Sequence, residues 1–307
     1  MAKKVRIATF NCENLFARYT FPPDVTPTEI SANGWEINQT LFAIHDPKTR
    51  AITAQAIRGV KADIIVLQEV ENMDVLKMFR ARHLGGYQAY PYAMLVDGND
   101  PRFIDIAVLS KYPIVHVRSH QNRKTSPKAR SYIFSRDCLE ADILVGSQTI
   151  TLFANHFKSM IGGRAQTRLR RQRQMLSVME IVEERFGPQP GQNHFIILGD
   201  FNDYPIDDRS GKSSVWPLLN WGQAENVVAR LPAEEQWTHY FKGKKQYTQL
   251  DYILVSYALS QAVRNVEIER RGLPRRADYY TGERFEGVGE NYPKASDHCP
   301  VVVELRL

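Results

Sequence analysis

Cysteine is scarce in this chain. Cys12, Cys138 and Cys299 are the only three among 307 residues, and none has a partner at Cys-x-x-Cys spacing. That argues against a disulfide framework and against a structural zinc site. Long apolar runs are missing too, since no stretch reaches the roughly 18 residues that a membrane span needs. Residues 1–10 pass from a short Lys/Arg cluster straight into an alternating segment, without the apolar run and small-residue cleavage site of a secretion signal. These absences lead us to expect a cytoplasmic protein with no membrane association. There is also no internal repeat, no segment polar enough to stay disordered and no linker between two cores. Residues 1–307 are therefore expected to form one domain, and nothing points to an obligate protein partner.

What is present is ordinary in amount. A hydrophobic fraction of 43% suffices for a sizeable core. The net charge of +6 suits a polyanionic partner, but many basic proteins never touch nucleic acid.

Patterning says more. Residues 5–10 alternate as a half-buried strand does. The polar stretch 19–47 reads as a long surface loop, and a helix over 51–60 feeds the continuous apolar run Ile64-Ile65-Val66-Leu67. A helix over 73–83 and a strand over 104–109 follow, and two strands at 140–145 and 149–154 flank Gly146-Ser147, a hairpin signal. A long helix covers 164–186. Further buried strands lie at 195–198, 252–255 and 301–305, and the basic, aromatic stretch 270–292 forms a second long surface loop. Strands mixed with helices, some joined by hairpins, make an α/β chain with mixed sheets. Several strands end in polar residues: Asn11, Glu69, His156 and Asp200. One rim of the scaffold is thus the place to look for a site.

Taken singly, these residues are ambiguous. Glu69 after Leu67 is either a solvated strand end or a metal ligand, and Asn11 and Glu13 are either turn residues or ligands. Hard cations want oxygen donors, usually one or two carboxylates plus water and substrate phosphate, which separate strand ends can supply. In Gly199-Asp200-Phe201-Asn202, Asp200 and Asn202 can face the same way, one accepting a proton from water while the other positions phosphate or metal; a plain turn reads equally well. The closing Ser296-Asp297-His298 joins a carboxylate and an imidazole to an apolar strand. Asp297 there suits a metal and His298 a phosphate or attacking water, with Asp251 a candidate to orient the imidazole. His156 in Asn155-His156-Phe157-Lys158 is either a phosphate donor or a satisfied rim histidine.

The helix after it adds a separate signal. Arg164, Arg168 and Arg171 share a stripe with Met175, Met179, Val182 and Phe186, so the arginines sit on its inward face near its positive end. They either bind an anion, with Arg164 nearest His156, or pair with carboxylates at the core edge.

Six segments taken together resemble one family. Phe10-Asn11-Cys12-Glu13-Asn14-Leu15-Phe16, Leu67-Gln68-Glu69, Asn155-His156-Phe157-Lys158, Gly199-Asp200-Phe201-Asn202, Leu250-Asp251-Tyr252 and Ser296-Asp297-His298 follow the motif order of the endonuclease/exonuclease/phosphatase superfamily, which includes deoxyribonuclease I-like enzymes. The opening motif and Asn155-His156-Phe157-Lys158-Ser159 look most like bacterial nuclease-type members. The resemblance implies a four-layer α/β sandwich, with two mixed β-sheets face to face and helices outside. It also implies Mg²⁺ or Mn²⁺ held by Asn11, Glu69 and Asp297, with Glu13 one remove from the ion. Asp200 and Asn202 would orient or activate water; His156 and His298, the latter held by Asp251, would contact the scissile phosphate. Lys158, Arg164 and Arg168 would bind substrate. The tyrosine that apurinic endonucleases place near the phosphate has no counterpart among these motifs, which argues against abasic-site specialisation. The expected substrate is nucleic acid, DNA ahead of RNA; an intracellular phosphatase or phospholipase of the same superfamily is the alternative.

Overall fold

The computed structural model describes residues 3–19, 42–44 and 46–307. The loop expected over 19–47 lies largely outside those residues; its two described ends pair as short strands. In chain order the first half comprises β1 (Lys4–Leu15), β2 (Ala17–Tyr19), β3 (Phe42–Ile44), α1 (Pro47–Gly59), β4 (Ile64–Val70), α2 (Met73–His83), β5 (Tyr92–Val96), β6 (Asp105–Ser110) and β7 (Ile114–Ser119). Next come β8 (Cys138–Val145), β9 (Gln148–His156), α3 (Arg164–Phe186), β10 (Phe195–Asp200) and β11 (Ala224–Asn226). The chain closes with β12 (His239–Phe241), β13 (Gln246–Thr248), β14 (Asp251–Ser256), β15 (Val263–Ile268) and β16 (Val301–Arg306). No helix among the described residues is long and apolar enough to cross a membrane.

Two six-stranded sheets carry the fold, ordered β15-β16-β1-β4-β6-β5 and β11-β14-β10-β9-β8-β7. Both are mixed: β1 runs parallel to β4 and β9 parallel to β10, and their other neighbours are antiparallel. Strand alternation explains the layering. Ile64 and Val66 of β4 face Ile196 and Leu198 of β10 across the space between the sheets, whereas Ile65 and Leu67 turn outward. The outward set packs against Ile52, Ala56 and Ile57 of α1 and Val75, Leu76 and Phe79 of α2. On the far side, Phe153, Phe195, Ile197 and Leu254 are covered by Met175, Val178, Ile181 and Val182 of α3. Helix, sheet, sheet, helix: four layers. A run such as Ile64-Ile65-Val66-Leu67 is continuously apolar because both of its faces are covered.

The α3 stripe differs slightly from expectation. Val178 and Ile181 are buried, while Met179 and Phe186 are only partly so, a shift of about one position around the helix. The strand directions fix where the site can be. The parallel pairs end at one rim with Asn11, Glu69, His156 and Asp200, and the register sets Asp200 between His156 on one side and Asp251 on the other. Antiparallel β16 enters at the same rim just after His298.

Candidate active site

The backbone at this rim is unusual. Glu13, Asn14, Glu69 and Asn202 all hold positive φ, between 49° and 64°. Such conformations cost non-glycine residues roughly 1 kcal/mol or more each and persist where surrounding structure imposes them. At Glu13, Asn14 and Glu69 the cause is visible: strand pairing slips between Asn11 and Leu15 and between Gln68 and Val70, which re-aims the carboxylates. Gly199 has a different reason. A Cβ there would lie 1.9 Å from the Asn155 carbonyl oxygen, so only glycine lets β10 close on β9 and bring Asp200 beside His156.

Asp200 is the hub. Its Oδ2 accepts from Asn202 Nδ2 at 2.8 Å and Asn11 Nδ2 at 3.1 Å. His156 Nε2 lies 3.5 Å and His298 Nε2 3.9 Å from the same oxygen. Burial, opposed by His298 and reinforced by Asp251, pushes the Asp200 carboxyl up to about 7. The two imidazoles are driven apart. Burial and then Arg136 hold His156 well below its ordinary value. Burial also opposes charge on His298, but Asp251 and Asp200 outweigh it and raise that imidazole well above. Burial thus favours the neutral form of His156, while the two carboxylates favour the cationic form of His298.

Around this hub stands a second ring. His298 Nδ1 meets Asp251 Oδ2 at 2.9 Å, and Thr238 Oγ1 donates to the same oxygen at 2.7 Å. Asn11 donates to Glu69 Oε1 at 3.3 Å and accepts the Glu13 N–H through Oδ1. Its Oδ1 thus faces the Glu13 backbone, while its Nδ2 ties the Glu69 and Asp200 carboxylates together. Glu13 Oε2 accepts from Lys294 Nζ at 2.7 Å and from the Asp297 N–H at 3.0 Å. Burial and then Asp297 raise the Glu13 carboxyl against the pull of Lys294. Asp297 is held below the usual carboxylate range; burial works against this, and His239 and Lys294 prevail.

Carboxylates at Glu13, Glu69 and Asp297 stand near one another, and such hard oxygen donors suit a divalent cation. Atoms of His239, Asp297 and His298 lie within 4.8 Å of one another, as do those of Asp200, Asp251 and His298.

The structure changes the reading of Arg164. Arg164 is buried and donates to Asp203 Oδ1 at 2.6 Å, to Asp208, and to the carbonyls of Tyr204, Ile206 and Gly211. Those contacts engage its Nε, Nη1 and Nη2, so it braces the loop after Asp200 and is not a substrate ligand. Arg171 joins it on Asp203 Oδ2 at 3.2 Å. Arg168 is half-buried beside them. Lys158 is different: burial and then Arg136, Arg170 and Arg102 lower its ammonium, which places it in a cationic group next to His156.

Sequence reasoning missed Thr238, His239, Lys294 and Asp203. Thr238 and His239 lie in no recognisable motif. Lys294 stands two residues before Ser296, and Asp203 directly follows Asn202, so proximity to a motif was the available signal.

A family profile described as Endonuclease/Exonuclease/phosphatase family matches residues 8–298. Comparison with curated proteins finds no significant sequence match. Several solved structures share the fold. The human Nocturnin catalytic domain with bound sulfate is 14% identical with a TM-score of 0.62, over 98% of this chain and 92% of that one. The mannosyl-6-phosphatase of Bacteroides thetaiotaomicron is 17% identical with a TM-score of 0.61, over 99% and 100%. D. rerio TDP2 complexed with single strand DNA product is 13% identical with a TM-score of 0.59, over 99% of each chain. Identities this low carry the fold alone. The profile carries more, because it runs from the first strand to the Asp-His pair. The chain belongs to the endonuclease/exonuclease/phosphatase family and is a phosphoesterase of a generally divalent-metal-dependent kind.

Proposed function

We propose that this phosphoesterase hydrolyses phosphodiester bonds in nucleic acid, DNA ahead of RNA, by in-line attack of water. The observation that carries the reading is the pair of imidazoles flanking one carboxylate oxygen. His156 Nε2 and His298 Nε2 approach Asp200 Oδ2 from two sides, at 3.5 and 3.9 Å. A carboxyl raised to about 7 is matched to taking a proton from water at neutral pH, and Asn202 holds it in place. Cationic His298, oriented by Asp251, donates to a phosphoryl or leaving oxygen, while neutral His156 contacts the phosphate through Nε2.

Glu69 and Asp297, with Glu13 behind them and Asn11 aligning the set, are the residues that would hold Mg²⁺ or Mn²⁺. An ion bound there would neutralise charge that develops on the phosphoryl group. Lys158, with Arg102 and Arg170 nearby, supports an anionic ligand on the His156 side. The DNA product in the TDP2 structure supports nucleic acid within the family, and the mannosyl-6-phosphatase represents the competing phosphomonoesterase reading.

The test is a digestion panel with Mg²⁺ or Mn²⁺: plasmid DNA, single-stranded DNA, RNA, sugar phosphates and phosphoinositides, each repeated after chelation. Chelator-sensitive cleavage of DNA is expected. Phosphate release from sugar phosphates or phosphoinositides without any nicking of DNA would replace the nuclease with a phosphatase.

A further inference from the structure

The β12–β13 hairpin is tied to the catalytic centre at one end and carries a basic tip at the other. At its root, Thr238 Oγ1 donates to Asp251, the Tyr240 N–H to the Asp297 carbonyl at 2.9 Å, and the Cys299 N–H to the Thr238 carbonyl at 2.6 Å. His239 bridges to His298 across the same junction, their rings 4.6 Å apart. The underside is rigid. Tyr240 is buried with Trp237, Leu273, Ala277 and Cys299, Tyr247 stacks on it at 5.0 Å, and its hydroxyl donates to the Arg276 carbonyl.

Alternation along β12 places Phe241 on the same face as His239, two residues further from the site. The residue is 47% exposed. The ring lies over Gly243, where a Cβ would come within 3.1 Å of it. The turn then exposes Lys242, Lys244 and Lys245. Lys245 lies 3.7 Å from Asp278, whereas Lys242 and Lys244 form no ion pair among the described residues. At about 3.3 Å per residue, the tip begins roughly 10 Å from His239. With the cationic group around Lys158 on the other flank, positive charge extends well past the centre, a range that a small sugar phosphate would not use.

We infer that this hairpin grips the polynucleotide beyond the scissile bond, with Phe241 stacking on a base and Lys242 and Lys244 contacting backbone phosphates. The inference rests on the nucleic-acid reading above and adds that the substrate is a strand several nucleotides long. An exposed ring flanked by lysines combines the two elements that hold single strands without sequence preference.

The experiment compares the full chain with Phe241→Ala, Phe241→Trp and the double variant Lys242→Ala/Lys244→Ala. Steady-state kinetics are measured on a fluorescent 20-nucleotide strand and on bis(4-nitrophenyl) phosphate over a range of salt. On the strand, Phe241→Ala and the double variant should lose about tenfold or more in kcat/KM, mainly through KM. Each lysine removed should flatten the slope of log(kcat/KM) against log[salt] by about 0.7. Phe241→Trp should restore activity, and the small diester should be turned over at wild-type rates by every variant. Unchanged strand kinetics and salt slope would overturn the inference and leave the nuclease intact. Equal losses on both substrates would overturn it too, as a mere effect on folding. Absence of any DNA cleavage by the wild-type chain, with turnover of phosphoinositide vesicles or sugar phosphates, would remove both readings together.

Discussion

His298 Nδ1 and Asp251 Oδ2 stand 2.9 Å apart, although 47 residues separate them in sequence. One lies at the entrance to β16 in the first sheet and the other opens β14 in the second, so the pair joins the two sheets at the catalytic rim. In the proposed mechanism Asp251 fixes which imidazole nitrogen faces the substrate and stabilises positive charge on the ring.

Asp251→Asn should therefore lower kcat by about a hundredfold or more with little change in KM. The His298→Asn variant should lose as much, and the double variant little beyond either, because the two act as one unit. Additive losses in a double-mutant cycle would separate the residues.

The pH–rate profile follows from Asp200. Its raised carboxyl is protonated below about 7 and cannot accept a proton from water there. The rate should fall on the acid side, with a limb at or below about 7 depending on how strongly a bound cation favours the carboxylate. Asp200→Asn should remove at least about 99% of the activity, and the residual rate should lack that limb. An identical limb in Asp200→Asn would assign it to another group.

Arg164 predicts a stability effect. Its removal leaves Asp203 buried with Arg171 as its remaining side-chain cation, and breaking a buried pair costs about 3–5 kcal/mol. Arg164→Ala should lower Tm by many degrees while KM stays unchanged below the transition. A raised KM at unchanged Tm would return Arg164 to the substrate.

Asp105 offers a test outside the site. Burial, then Asp97, Asp100 and Asp137, push its carboxyl up to about 6 against the pull of the Gly98 N–H. With the folded value above the unfolded one, its contribution is fully present below about pH 4 and is lost as pH rises through about 6. Asp105→Asn should flatten that part of the stability curve and stabilise the protein at pH 8 by up to about 3 kcal/mol. Urea unfolding at pH 4 and pH 8 measures both, and an unchanged difference between the two pH values would rule the attribution out.

Much of this was legible without coordinates. Alternation and apolar runs located the strands, and polar residues at Asn11, Glu69, His156 and Asp200 marked one rim, because strand period and strand ending are short-range properties. Motif order then named the family. What the chain alone left open was which partner each charged group takes. Arg164 was equally suited to a phosphate or a carboxylate; only the fold put Asp203 against it. Thr238 and His239 belong to no local pattern and Lys294 only stands near one, and the tertiary fold alone carried them to Asp251, Asp297 and Glu13. Ion pairing is decided by distance in space and by burial, and both are set when the two sheets close on each other.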